Sequence, residues 1–320
     1  MTSIATVDRD RSKSRFVIPV TSYHEEIGGV IVLHKLCHFL NELGYEAYLY
    51  PVLKPDYVFA RRLFANISSR LPLVNAFLGK GYVVNKTMMT PLLPLTLSPS
   101  DGRTIAIYSD TIGGNPMGAP NVVRFFLHKP GFHSGECEFG SNELHVDFNE
   151  FLNDYDPGLN QLSPNKLFVL HFPFEIYNLN GAVAPECRSG TAYCVRKGKV
   201  DERLIDLDGS ICIDGLSHLE CAAVLKRVKY FVSFDPYTAF SSFAALCGAI
   251  SIVSPPAGMT KADWYQDEEA RFGIAFGFDE TDWALSTRGK VRAYLERKHE
   301  ESRAAAERFA FEAEEFFGLS

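Results

Sequence analysis

The sequence predicts an α/β protein built of two successive doubly wound domains, and three observations carry that expectation. The first is an opening of strand, glycine turn, helix and strand over residues 16–50, with Gly28 and Gly29 in the turn. The second is another alternation of strands and helices beyond residue 190. The third is the stretch between them, NLNGAVAPECRS at residues 178–189, whose glycine, proline and small polar content marks a domain boundary. Length agrees, because 320 residues with 46% apolar and 22% charged composition suit two domains better than one.

In chain order, residues 16–20 form a short apolar run, and VIVLHKLCHFLNELG then repeats its apolar residues at helical spacing. Residues 46–50 form the second strand, and 104–108, 122–127 and 167–172 are further strands, apolar enough to be buried on both faces. Between them, residues 57–97 are punctuated by Pro72, Pro91 and Pro94 and give no clear element order. The second domain has strands at 192–196 and 211–213, then the helix SHLECAAVLKRV opened by a Ser217/Glu220 capping box. A strand at 230–233, a helix at 239–247 and a strand at 250–253 follow. Helical runs near 281–298 and 301–317 are charged with an intermittent apolar face, and are expected to pack across the domains. The expected organisation is a disordered leader at 1–14, domains at 15–180 and 190–280, and C-terminal helices at 281–320.

A formal net charge of −7 argues against nucleic acid as the main partner, since phosphate binding needs a dominant basic face. The start of the chain has no apolar run long enough for a signal peptide or a membrane span. Its 7 cysteines are scattered without a CxxC pair, which points to a reducing, cytoplasmic setting.

The strand YFVSF runs into Asp235 and Pro236, then into a helix whose start offers Tyr237, Thr238 and Ser241. A helix start at the carboxyl end of a buried parallel strand presents free N–H groups and a positive dipole end, which suits a diphosphate. Arg196, Lys197 and Lys199 follow the first strand of the second domain, where their charges would neutralise a departing nucleoside diphosphate. Asp214 and Gly215 follow the 211–213 strand, at the natural cradle for a nucleotide base.

The run from Ser233 to Val253 resembles the donor-binding segment of GT-B glycosyltransferases. It departs from their best-known pattern of two glutamates, with Asp235 at the first position and Phe243 at the second, where a glutamate normally holds the donor ribose. A broader resemblance is to glycosyltransferases of bacterial surface-polysaccharide loci, carried by GGVIVLHKL, GNPMGAPNVVRFFLHKPG, AYCVRKGK, SFDPYTAFSSFAALCGAISIV and RFGIAFGF. It implies two Rossmann-like domains facing across a cleft, with a nucleotide-sugar donor in the C-terminal domain and a glycan or lipid-linked saccharide acceptor in the N-terminal one. It also implies sugar transfer without a metal or other cofactor.

In the N-terminal half, IYSDTIGGNPMG puts Asp110 just beyond a buried strand, where a carboxylate would deprotonate an acceptor hydroxyl; the related sequences carry a carboxylate there too. Asp before Gly–Gly is equally a turn initiator. His24 and Glu25 precede Gly28 and Gly29 and would face the same edge, as acceptor ligands or an alternative base, and His128 ends another strand. Arg124 lies within an apolar strand and needs a partner, either an acidic substrate group or a buried carboxylate.

Asp206 and Asp208 have DxD spacing but sit in DLDGS, read as a turn rather than a metal site. His133, Cys137 and His145 lack metal-ligand spacing. The segment at 57–81, with Arg61, Arg62, Arg70 and Lys80 among aromatic and aliphatic residues, has the composition of a peripheral membrane contact. Two other functions fit the same architecture: a nucleotide-sugar 2-epimerase, and a catalytically silent module that binds a nucleotide or glycan. A dinucleotide-dependent dehydrogenase fits less well, because EEIGGV lacks the spaced three-glycine fingerprint.

Overall fold

The computed structural model describes residues 14–52, 81–133, 135, 139–201, 203–206 and 208–319. The leader before Ser14, the basic segment up to Lys80, and Cys137 lie outside the described residues. The chain divides into two compact units, Met1–His171 with His299–Ser320, and Phe172–Lys298. Each is a Rossmann-like α/β unit around a parallel sheet.

The first unit carries strands β1 (Arg15–Val20), β2 (Glu46–Pro51), β3 (Thr104–Ser109), β4 (Asn121–Phe126), β5 (Leu144–Asp147) and β6 (Gln161–Leu162). They lie in the order β2-β1-β3-β4-β5-β6, all parallel. Every residue of β1 and β3 is buried, as continuous apolar runs in a doubly covered sheet require. Helix α1 (Gly28–Glu42) follows β1 and turns Val30, Leu33, Leu36, Cys37 and Leu40 into the core. Gly44, at φ 87°, ends it in the left-handed conformation that favours glycine. The Asn41 amide then ties α1 to β2 through the Ala47 carbonyl and N–H, at 2.8 and 3.3 Å.

The second unit carries β7 (Thr191–Cys194), β8 (Ile211–Cys212), β9 (Tyr230–Ser233), β10 (Ile250–Val253) and β11 (Ile274–Phe276), parallel in the order β11-β10-β9-β7-β8. Its helices are α2 (His218–Leu225), α3 (Phe240–Leu246), α4 (Lys261–Trp264) and α5 (Thr281–Thr287). The Ser217/Glu220 capping box forms as its sequence requires: the Ser217 hydroxyl accepts from the Glu220 N–H, and the Glu220 carboxylate accepts from the Ser217 N–H. Arg188, buried before β7, donates to the carbonyls of Val183, Leu225, Val228 and Cys247 and so gathers the carboxyl ends of α2 and α3.

The final helix, α6 (Val291–Phe316), is unbroken, whereas the sequence suggests an interruption near residue 300. No proline or glycine lies within it to stop it. Val291 and Leu295 pack in the second unit beside Ala245, while Ala305, Ala306, Phe309, Ala310 and Ala313 belong to the core of the first.

The expected strand at 167–172 does not form. Leu167 and Val169 are buried, but the backbone leaves the ladder: the Leu170 N–H donates to the Ser302 hydroxyl of α6 at 3.2 Å. The place beside β5 is taken by β6. β5 itself was hidden in the sequence by His145 and Asp147, which look wrong for a buried strand; both are paired, to Tyr155 at 3.0 Å and to the Asn149 N–H at 3.1 Å.

Candidate functional site

In an open parallel sheet, ligands settle outside the carboxyl ends of the strands where the strand order reverses. In the second unit that place lies between β7 and β9, since β7 is flanked by β8 and β9. The loops leaving β7, β8 and β9 bring Arg196, Asp214 and Asp235 there. Arg196 has φ 47°, a left-handed conformation that disfavours a non-glycine residue. It is held by Asp214, whose Oδ2 accepts from the N–H groups of Val195 and Arg196 at 2.7 and 3.3 Å. The Asp214 Oδ1 also lies 3.3 Å from the Arg196 Nε. The guanidinium rests over the Phe240 ring, 4.7 Å from its centre, at the start of α3.

Gly198 explains how this loop meets β9. A Cβ there would fall 1.8 Å from the Phe234 carbonyl oxygen and 3.0 Å from the Asp235 nitrogen, so only glycine lets the two backbones touch. The turn after β9 is set by Ser233, whose hydroxyl donates to the Asp235 carbonyl at 2.6 Å, and by the Asp235 carboxylate, which accepts from the Tyr237 N–H at 3.0 Å. Lys197, Lys199 and Tyr237 are exposed, Thr238 is half-buried, and Gly215 turns after β8 at φ 81°. The buried Ser241 hydroxyl has no hydrogen-bond partner among the described residues.

Beneath Arg196 lies an aromatic stack that the sequence did not announce. His218, the first residue of α2, lies nearly parallel to Phe240 at 5.7 Å, and its Nδ1 is 2.5 Å from the Tyr177 hydroxyl. Phe243 stacks on Tyr177 at 4.2 Å and is only 4% exposed. Phe243 is therefore a core residue, and the position expected to contact a ribose is closed by packing. Its departure from glutamate was legible; the partners His218 and Tyr177 were not, because they lie 25 and 66 residues from it in sequence.

In the first unit the reversal lies between β1 and β3. Asp110 leaves β3 buried, and its Oδ1 accepts from the Leu127 N–H at the end of β4, at 3.1 Å. Burial raises its carboxyl above the usual range, although the Leu127 hydrogen bond and the nearby His133 and Arg124 charges oppose this. Gly29 approaches the same Leu127, where an added Cβ would lie 3.4 Å from Cδ1. His128 is stacked between Phe132 at 3.7 Å and Phe151 at 5.1 Å. Its Nδ1 accepts from the Lys129 N–H at 2.8 Å. Asp110, His128, Gly28 and Gly29 thus share one edge. His24 and Glu25 lie on the loop after β1, where the His24 Nδ1 accepts from the Glu26 N–H at 3.3 Å. That loop is steadied by the fully buried His34, whose Nε2 lies 3.1 Å from the Thr21 carbonyl and whose pKa burial lowers to about 4.

No family model matches the chain, and no curated protein does. Among solved structures, it is similar to the glycosyltransferase SnogD from Streptomyces nogalater, with 15% identity over 94% of this chain and 99% of that one, at a TM-score of 0.39. It is similar to a mutant of the Thermobaculum terrenum O-GlcNAc transferase, with 14% identity over 97% of this chain and 69% of that one, at 0.41. It is also similar to the glycosyltransferase VinC in complex with dTDP, with 12% identity over 94% and 95%, at 0.32. At these identities and scores the likeness adds nothing to what the two sheets establish.

Arg124 does not face a substrate. It is 0% exposed, and of the two expected partners it has the buried carboxylate: Glu143 receives its Nε at 3.1 Å and its Nη2 at 2.9 Å. The remaining guanidinium donors go to the carbonyls of Ile112 and Gly114, so Arg124 shapes the loop behind Asp110. Asp206 turns its carboxylate back over its own turn, 2.5 Å from where a Cβ on Gly209 would lie. Among the described residues no group of three His, Cys, Asp or Glu side chains is arranged to hold a metal, and no helix is long and apolar enough to cross a membrane.

Proposed function

We propose that the chain is a glycosyltransferase of the GT-B kind, moving a sugar from a nucleotide-sugar donor to a glycan or lipid-linked acceptor in surface-polysaccharide synthesis, without a metal. The observation that carries this reading is the convergence of Arg196, Asp214 and Asp235 at the strand-order reversal of the second sheet, with Gly198 bringing two backbones into contact there. In this reading the donor diphosphate lies along Arg196, Lys197, Lys199, Tyr237, Thr238 and Ser241, and the base by Asp214 and Gly215. The acceptor hydroxyl attacks the anomeric carbon as the bond to the diphosphate oxygen breaks. The leaving diphosphate takes the electron pair, and Arg196 and Lys199 stabilise its charge. Asp110 accepts the hydroxyl proton, a role its burial favours by making the carboxylate more basic. Glu25 and His128 are the alternative bases, and His24, Gly28 and Gly29 the acceptor contacts.

Thermal-shift and calorimetric titrations with UDP, GDP, CMP and dTDP test the donor site. One of them is expected to stabilise the protein by mass action, and Arg196→Ala and Thr238→Val to weaken it, Arg196→Ala by roughly tenfold or more. Unchanged affinity in both variants overturns the assignment. Asp110→Asn is expected to lower turnover by about 10²–10⁴-fold while diphosphate affinity stays as in the wild type. Equal loss of both would make Asp110 a structural residue.

The closed position at Phe243 favours a second reading, a module that binds a nucleotide without turnover. Diphosphate binding with no product across a donor and acceptor panel would select it. Conversion of donor alone would select a 2-epimerase.

A further inference from the structure

The second unit has a pocket at the opposite edge of its sheet, where the strands begin. Its volume is about 510 Å³, within the range of small-molecule sites, and it is walled by the segment before β7, the carboxyl end of α3 and the start of α6. Three arginines line it, Arg188, Arg288 and Arg292, and no aspartate or glutamate does among the described residues. Leu179 and Val183 supply an apolar wall, and Leu179 is exposed.

The charges there are only partly answered. Arg188 gives four hydrogen bonds to main-chain carbonyls, and Arg288 gives one to the Gly248 carbonyl at 2.8 Å. Those carbonyls lie at or beside the negative ends of two short helices, each equivalent to about half a charge at most. No ion pair with a carboxylate forms at Arg188 or Arg288 among the described residues. The Arg288 charge, after burial, pulls the Arg188 pKa below the usual arginine range. Arg292, one helical turn beyond Arg288, stacks on Phe174 at 3.9 Å and pairs with Glu296 at 2.6 Å outside the pocket.

We propose that this pocket binds a small amphipathic anion, its phosphate or carboxylate head held by Arg288 and Arg292 over Arg188 and its apolar body against Leu179 and Val183. Such a ligand completes the charge balance that the helix ends begin, and it occupies a site separate from the carboxyl edge where Arg196 lies. The proposal does not depend on the donor reading.

Calorimetric titration with octyl phosphate and with inorganic phosphate tests it. Octyl phosphate is expected to bind saturably and at least about tenfold more tightly than inorganic phosphate, because the chain buries apolar surface. Arg292→Gln is expected to weaken it roughly tenfold, and Leu179→Ser to weaken octyl phosphate while sparing inorganic phosphate, since it removes apolar surface without adding charge. Sedimentation with phosphatidic acid vesicles separates the sources: vesicle binding lost in Arg292→Gln identifies a lipid head group, and binding of octyl phosphate without vesicle binding identifies a free ligand. No saturable binding of octyl phosphate at millimolar concentration, or the same affinity in Arg292→Gln and Leu179→Ser, each with unchanged thermal stability, overturns the proposal.

Discussion

Glu143→Ala is expected to destabilise the first unit by about 3–5 kcal/mol, the cost of leaving a buried charge without its partner. Arg124 has no exposure to water, and Glu143 supplies both oxygens to it while also accepting from the Gly140 N–H at 2.8 Å. Denaturant unfolding measures the effect as a lower midpoint at unchanged slope. The double substitution Arg124→Met with Glu143→Met is expected to recover much of the loss, because a paired charge replaced by packed apolar groups carries no desolvation cost. The same pair sets an acid limit. Burial alone would raise the Glu143 carboxyl, but the His145 and Arg124 hydrogen bonds and the Arg124 charge outweigh it and bring the pKa down to about 2 from 4.5. The folded state therefore holds this proton less tightly than the unfolded chain. Its stabilisation is complete above pH 4.5 and is lost as the pH falls from there toward 2, and a wild-type curve with no such loss would contradict the pairing.

Gly198→Ala is expected to have the largest effect on ligand binding of any single methyl group added to the second unit. The new Cβ would collide with the Phe234 carbonyl, and the obstacle is main chain on both sides, so the loop carrying Arg196 and Lys199 must move. Losing the charged hydrogen bonds that Arg196 and Lys199 would make, about 1.5–3 kcal/mol each, costs on the order of a hundredfold in nucleoside diphosphate affinity. Gly215→Ala is the contrasting case. Gly215 has φ 81° but nothing within 4 Å of an added Cβ, so its cost is backbone strain of about 1–2 kcal/mol with little change in the loop after β7. Equal losses of affinity in the two variants would remove the close approach as the cause.

The α/β pattern and the second unit's strands were legible because parallel strands buried on both faces leave unmistakable apolar runs: β9 and β10 appear with the bounds their residues suggest. β5 was illegible because His145 and Asp147 break its run, and what makes them tolerable lies outside the strand: Tyr155 for His145, and the Asn149 and Phe151 N–H groups for Asp147. The segment at 167–172 failed in the opposite sense: it has a strand's composition and Leu167 still donates to the Asp147 carbonyl of β5 at 2.9 Å, but by Leu170 the backbone N–H has turned to the Ser302 hydroxyl of α6. At the site, Arg196, Asp214 and Asp235 could be named from their places after strands. Gly198 could not, because its role depends on another loop coming within contact distance, and spacing along a chain carries no record of that. Arg124 announced only that a partner was needed; Glu143 follows from the register of β4 against β5.

The last helix has a consequence for biogenesis. Because Ala305, Ala306, Phe309, Ala310 and Ala313 belong to the core begun at Phe16, the unit started first on the ribosome is the one finished last. Phe172–Lys298, an insertion within it, is fully synthesised earlier and is free to close before its host does. A chain synthesised only as far as Lys298 would thus hold an apolar face open along α1 and β1, a natural point of chaperone engagement.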